Sequence, residues 1–258
     1  MSVELLRTNY SELGSKLIEQ MYSDDYLSIG GAASTTALAA EAGISKSTAV
    51  LDVGSGLGGP ALQLAATFGC TVTGLDLVES NTTESIRRAA QRGLEKLVRF
   101  EVGDATQMPF EGSQFDVVWG QDAWCHVPDK DKLIGESARV LRRSGVIAFT
   151  DWIKVGAMDE AFERDVMSAT VSTAMETAPG YCQLLEKHGF EVTQCEDISH
   201  TFISQYEGVM ERVKGLEASI SSTYSPKVYA IIFEKNELIA RAFKEKKIGG
   251  TKIIGVQR

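Results

Sequence analysis

Metal chemistry finds little foothold in this sequence. Its 258 residues hold four cysteines (Cys70, Cys125, Cys182, Cys195) and three histidines (His126, His188, His200), all dispersed along the chain. No C-x-x-C occurs, and no spacing suits a metal site. So few cysteines in a chain of this length speak against a disulfide framework, and reduced thiols in a cytoplasmic protein are the expectation. Positive charge is scarce as well. The 26 Lys and Arg face 35 Asp and Glu, a formal net charge of −9, which argues against an electrostatic grip on nucleic acid or an anionic membrane. No window approaches the roughly 20 apolar residues of a membrane helix. The start, MSVELLRTNYSELG, lacks the basic-then-apolar layout of a secretory signal. What remains is an ordinary globular balance, with 43% hydrophobic and 24% charged residues. That is enough for one large core, or a core plus a cap.

The informative stretch begins at Ala49. Ala49 to Pro60 read AVLDVGSGLGGP, an apolar run with an acid followed by Gly54, Gly56, Gly58 and Gly59. Glycines let a backbone turn sharply and approach a ligand where a side chain would clash. A second apolar run, TVTGLDL, places Asp76 at a strand end, where a carboxylate can accept from a ribose diol. Strands and helices then alternate. AVLDV, TVTGLDL, VRFEVGD, FDVVWGQD and VIAFTDW read as strands; PALQLAATF, TTESIRRAAQRG and DKLIGESARVLRRSG read as helices. The unbroken apolar strands suit a parallel sheet covered on both faces. Ahead of them, residues 1–45 read as a helical lid. Leu5, Leu6, Leu13, Leu17, Ile18 and Met21 give it an apolar stripe, and Ser34 is a candidate cap for the Ala-rich stretch. After Lys154 come two helical stretches, a strand FEVTQCEDI, a long helical segment from about His200, and a closing strand TKIIGVQ. Residues 201–247 are too long for a simple crossover and read as an inserted helical cap. The core is then 46–200 and 248–258.

Gly54, Gly56 and Gly59 satisfy G-x-G-x-x-G, which by itself suits a nicotinamide or flavin cofactor. No G-K-[ST] follows, which excludes a Walker-type loop. Asp52, two residues before Gly54, makes D-V-G-S-G-L-G-G, which resembles the first motif of class I S-adenosylmethionine-dependent methyltransferases. Asp76, the run Gly103-Asp104-Ala105 and the strand FDVVWGQD fit the same family. The resemblance implies an α/β, three-layer Rossmann-like sheet, mostly parallel with its last strand antiparallel. It also implies S-adenosyl-L-methionine as cofactor, S-adenosyl-L-homocysteine as product, and no metal. On that pattern Gly54, Ser55 and Gly56, with Asp52, cradle the methionine part. Asp76 takes the ribose, Leu77 packs on the adenine, Asp104 and Ala105 meet the adenine edge, and Gln121 lies near the methyl donor.

A second resemblance narrows the chemistry. Q-D-A-W-C-H-V-P-D-K and A-R-V-L-R-R-S-G-V-I-A-F-T-D are similar to the layout of sarcosine and dimethylglycine methyltransferases. Asn9-Tyr10 and Tyr26-Leu27-Ser28-Ile29-Gly30-Gly31 resemble phosphoethanolamine methyltransferases. This implies Tyr10 and His126 over the active site, Asp122 on the amine, and Asn9, Tyr10 and Ser28 near the cofactor. The expected mechanism has His126, linked to Tyr10, accepting a proton from the amine. Aromatic faces from Tyr26, Trp124 or Trp152 then stabilise methylated cations. Trp152 stands where the phosphobase family has a tyrosine, and no tyrosine cluster follows, which favours glycine, sarcosine or dimethylglycine over a phosphobase. Lys154, Arg164, Arg212 and Lys214 are all open as partners for a carboxylate. A phosphobase, sterol or other lipid acceptor, or a cofactor-binding protein without catalysis, are the alternatives. Partners are confined to a small-molecule substrate, without nucleic acid or membrane insertion; a homodimer is left open. The plainer readings are a shared helical face for Tyr22 and Tyr26, core packing for Trp119, a helix-terminal His188, and a solvated face for EKNELIARAFKEKK.

Overall fold

Alternation along the strands sets the architecture. Val50, Val117, Ala148 and Ile254 pack on one face of a seven-stranded sheet, and their chain neighbours Leu51, Val118, Ile147 and Ile253 pack on the other. All eight are buried, as a sheet covered on both sides requires. The computed structural model describes residues 3–258 except the side chains of Val3 and Leu5, so the share of Leu5 in the expected stripe lies outside the described residues. The strands are β1 (Ala49–Val53), β2 (Thr71–Asp76), β3 (Val98–Val102), β4 (Phe115–Gln121), β5 (Leu141–Lys154), β6 (Phe190–Asp197) and β7 (Ile248–Gln257). Their spatial order is β3-β2-β1-β4-β5-β7-β6. β1 to β5 pair in parallel, and β7 runs antiparallel between β5 and β6.

The helices before β4 are α1 (Val3–Asn9), α2 (Glu12–Met21), α3 (Gly31–Glu41), α4 (Gly59–Phe68) and α5 (Glu79–Gln91). After it come α6 (Lys130–Val140), α7 (Glu160–Ala169), α8 (Ala178–Lys187), α9 (Ser199–Gly215), α10 (Glu217–Thr223) and α11 (Pro226–Lys244). Leu38, Leu62 and Ala89 from α3, α4 and α5 cover one face of the sheet. Leu133, Ile134, Tyr181 and Leu185 from α6 and α8 cover the other. A third apolar cluster joins Met21 of α2, Val166 of α7, Val209 of α9 and Ile239 of α11 around Trp152 of β5. Among the described residues, no helix is long and apolar enough to cross a membrane. No group of three His, Cys, Asp or Glu side chains is placed to hold a metal ion.

Several local expectations shift. The helix starting near Lys130 stops at Val140, because Leu141 pairs with Phe115 and opens β5; the irregular stretch after it carries Ser144 at φ +62. α3 starts at Gly31, so Ser34 lies inside the helix rather than capping it. Tyr22 is the C-cap of α2, while Tyr26 lies past the helix end and bridges to Ser23, so the two tyrosines share no helical face. Cys182 and Cys195, dispersed in sequence, meet in space with their sulfurs 3.0 Å apart.

Candidate active site

Chain order reverses between β1 and β4. The loops that follow these two neighbouring strands leave toward opposite sides and open a crevice at their carboxyl ends. An open cavity of about 1190 Å³ occupies that position. Its floor is the loop Gly54–Gly56, where Gly54 holds φ +83 and a Cβ there would lie 2.5 Å from the Ala123 Cβ. Asp76 ends β2 with Oδ2 accepting from the Gly56 amide (2.8 Å) and Oδ1 from the Val78 amide (2.8 Å), which fixes the carboxylate across the loop. Burial pushes its pKa up even so. Leu77, Asp104 and Ala105 line the same cavity, and Asp104 Oδ1 accepts from the Thr106 amide and hydroxyl at 2.7 and 2.8 Å. Ser55 Oγ is buried without a partner among the described residues.

A second cavity, of about 970 Å³, lies between α2, α11, Trp152 and the loop after β4. Tyr10, Leu27, Asp122 and His126 line both cavities and so form their junction. Asp122 follows β4 at φ +56, with its amide donating to the Thr150 carbonyl (2.9 Å). Its Oδ1 accepts from the Thr150 hydroxyl (2.7 Å), and its Oδ2 is buried with no partner among the described residues. Burial and then the neighbouring Asp151 push this carboxyl up to about 7, against the Thr150 hydroxyl and the Ile29 backbone amide, which lower it. His126 closes a short helical turn, Trp124–His126, whose Cys125 amide donates to Asp151 Oδ1 (3.1 Å). The Tyr181 hydroxyl holds the other oxygen of Asp151 at 2.6 Å.

The histidine's tautomer follows from its partners. His126 Nδ1 lies 2.9 Å from the Val171 carbonyl oxygen, which can only accept, so Nδ1 carries the proton. Nε2 is then the acceptor, and the Tyr10 hydroxyl donates to it across 2.9 Å. Burial holds the imidazole down at about 4 and therefore neutral. This bond ties α1 to the loop after β4. The N-terminal segment is fastened elsewhere too. The Ser15 hydroxyl donates to Asn81 Oδ1 (2.7 Å), and Arg88 of α5 pairs with Glu19 and Asp25 at 2.5 and 2.9 Å.

The structure brings most of the expected residues to these cavities and moves others. Ser28 and Gln121 line the first cavity, but both ends of Gln121 are engaged, with Thr35 (2.8 Å), Ser28 (3.0 Å) and the Gly31 carbonyl (3.3 Å). Gln121 therefore fastens the segment from Ser28 to Thr35 to the end of β4. Asp52 lies behind the glycine loop, outside the cavity lining, with Oδ2 lacking a hydrogen-bond partner among the described residues; burial and the nearby Asp76 charge push it up to about 8, against the Ala61 amide that lowers it. Asn9 lines the second cavity rather than the first. Tyr26 lines neither, because its hydroxyl turns to Gln63 and Thr35 on α4 and α3. Trp124 is fully buried, stacked 4.2 Å from Phe149 with Nε1 donating to the Val53 carbonyl (3.1 Å), and it backs the first cavity. Trp152 lines the second.

None of Lys154, Arg164, Arg212 and Lys214 lines either cavity. Lys154 and Lys214 pair with Glu163 and Glu211 at 2.6 and 2.8 Å, and Arg212 donates to the Met21 carbonyl. The cation that does line the second cavity is Lys235, from the helix expected to be a solvated face. Its signal in the sequence is a lysine in register with Ile232 and Ile239, on the packed side of α11.

A glycine loop under a switch-point crevice, with one carboxylate clamped across it and another just past the end of β3, suits the adenosine part of a cofactor. Residues 51–149 match the family model described as a methyltransferase domain. "Methyltransferase GfsG" of Streptomyces halstedii is 31% identical over 74% of this chain and 74% of its own length. A sarcosine/dimethylglycine N-methyltransferase of Halorhodospira halochloris is 33% identical over 68% of this chain and 64% of its own. In fold, the phosphoethanolamine N-methyltransferase 2 of Haemonchus contortus, solved with phosphomonomethylethanolamine and S-adenosylhomocysteine, superposes with a TM-score of 0.89 at 23% identity. That superposition covers 98% of this chain and 59% of the other. The chain belongs to the S-adenosylmethionine-dependent methyltransferases. The cradle at Gly54 and Gly56, the orphan Ser55 hydroxyl and the clamped Asp76 fit that cofactor.

Proposed function

We propose that this methyltransferase acts on nitrogen, transferring methyl groups to an amine that also bears an anionic group, the class that includes glycine, sarcosine and dimethylglycine. The observation carrying this reading is Asp122 Oδ2, a buried carboxylate oxygen at the junction of the two cavities with no hydrogen-bond partner among the described residues. A buried acceptor left unpaired is costly, and more so when charged. An ammonium or amine N–H supplies the missing donor, whereas an ether or hydrocarbon acceptor does not.

S-adenosylmethionine, held by Gly54, Gly56, Asp76, Asp104 and Ala105, supplies an electrophilic methyl group on a sulfonium. An ammonium has no lone pair, so the protonated acceptor must give up a proton. With its carboxyl pushed up to about 7, Asp122 is matched to take that proton near neutral pH. The direct role expected for His126 moves to Asp122 in this reading, since the accepting nitrogen of His126 already receives the Tyr10 hydroxyl and its basicity is low. Tyr10 and His126 instead hold α1 over the junction and keep water out, and the Tyr10 oxygen retains a lone pair for a second amine hydrogen. Trp152 offers an aromatic face to a methylated cation. Lys235 takes the anionic group.

The test is turnover with isotope-labelled methyl donor against amines, phosphobases, sterols and phenols, read by product mass and fragmentation. Label on nitrogen supports the reading. Label on oxygen or carbon, with every amine untouched, removes it.

A further inference from the structure

The walls of the second cavity are mostly apolar, more so than a glycine-sized acceptor requires. Among the described residues that line it, Asp122 and Lys235 are the charged ones. The rest of the wall is dominated by aliphatic side chains, Leu17 and Ile18 from α2 and Ile231, Ile232 and Ile239 from α11. Ile231 is 46% exposed and sits one helical turn before Lys235, so the apolar lining and the cation share a face at the outer edge of the cavity. A compact zwitterion carries its opposite charges a single methylene apart and leaves that aliphatic wall against water. Apolar ligand surface placed there is stabilised in proportion to the area removed from solvent.

We infer that the acceptor is an amphiphile, with its amine at Asp122, an apolar body against α2 and α11, and its anionic group at Lys235. The inference rests on the nitrogen-methylation reading and narrows it to amino acids whose charged ends are separated by a hydrocarbon spacer.

The experiment measures kcat/KM for glycine, sarcosine, 4-aminobutyrate, 6-aminohexanoate, 8-aminooctanoate and octylamine, with S-adenosylmethionine saturating. The expected result is a rise of about fourfold per added methylene, the ratio that corresponds to one buried CH₂, with 8-aminooctanoate ahead of octylamine. Ile231→Gln flattens the chain-length dependence, and Lys235→Met erases the advantage over octylamine, while calorimetric binding of S-adenosylhomocysteine is unchanged in both. Glycine or sarcosine as the best acceptor, or a chain-length slope that Ile231→Gln leaves intact, overturns the inference and leaves nitrogen methylation standing. Failure of every amine in the series overturns the underlying reading itself.

Discussion

Asp122→Asn separates the charge at the junction from its shape. Asp122 holds φ +56, a region that asparagine tolerates as well as aspartate does. The amide keeps an oxygen for the Thr150 hydroxyl, so the variant retains the local fold. Burial lifts the carboxyl from 3.8 to about 7, which means the folded chain disfavours its charged form by about 4 kcal/mol. Consequences of opposite sign follow. The folded state binds more protons than the unfolded state between about pH 4 and 7, so the stability due to this group is greatest below that window and is lost as pH rises through it. Asparagine never ionises and removes the loss, so the variant's Tm at pH 8 matches or exceeds that of the wild type. Activity moves the other way. A positioned base contributes typically about 10²–10⁴-fold, and kcat/KM for the best amine falls by at least about 10²-fold on that scale. The wild-type profile climbs with pH to a plateau above about 7 as Asp122 ionises, and that acidic limb vanishes in the variant. Calorimetry at two pH values and steady-state rates across pH 5.5–9 make the comparison, a range chosen to span the ionisation at about 7. Near wild-type turnover with the acidic limb intact refutes the assignment of Asp122, whatever its effect on Tm.

Other substitutions probe the remaining parts. Tyr10→Phe deletes the hydroxyl that donates to His126; a neutral hydrogen bond is worth about 0.5–1.5 kcal/mol, so S-adenosylhomocysteine leaves about two- to tenfold faster in stopped-flow release, and an unchanged rate shows that this bond does not hold the lid. Gly54→Ala places a Cβ 2.5 Å from Ala123 Cβ at φ +83; strain of about 1–3 kcal/mol lowers cofactor affinity by about ten- to a hundredfold in titration calorimetry. Asp52→Asn relieves a buried carboxyl that burial and Asp76 push up to about 8. Because its folded pKa is raised, wild-type stability from this site declines as pH rises from about 4 through 8, so the variant's Tm gain is larger at pH 9 than at pH 5; an equal gain at both contradicts the raised value.

Much of the sheet was legible because its strands are buried on both faces and therefore read as uninterrupted apolar runs. β1 falls where AVLDV places it, and β2 and β4 each end one residue short of TVTGLDL and FDVVWGQD. The glycine loop and Asp76 were legible for a related reason: local backbone demands at a strand end leave a local signature. The start of β5 was not, since the apolar and basic spacing of ARVLRRSG continues a helical pattern, and pairing of Leu141 with Phe115 overrides it. Cavity assignments depended on contacts distant in sequence. Tyr26 turns away because Gln63 and Thr35 lie beneath it, and Asn9 reaches the second cavity because Ser15–Asn81 and Arg88–Glu19 fix how the lid lies on α5. Lys235 was hidden by the charged residues around it, although its register with Ile232 and Ile239 marks the packed side of α11.

The most direct trial of the central claim is a crystal structure of the chain with S-adenosylhomocysteine and a methylated amine product. The amine nitrogen is expected at the junction, facing Asp122 and Tyr10, with the cofactor over Gly54–Gly56. An acceptor nitrogen lying elsewhere, with Asp122 paired to protein or solvent alone, contradicts it.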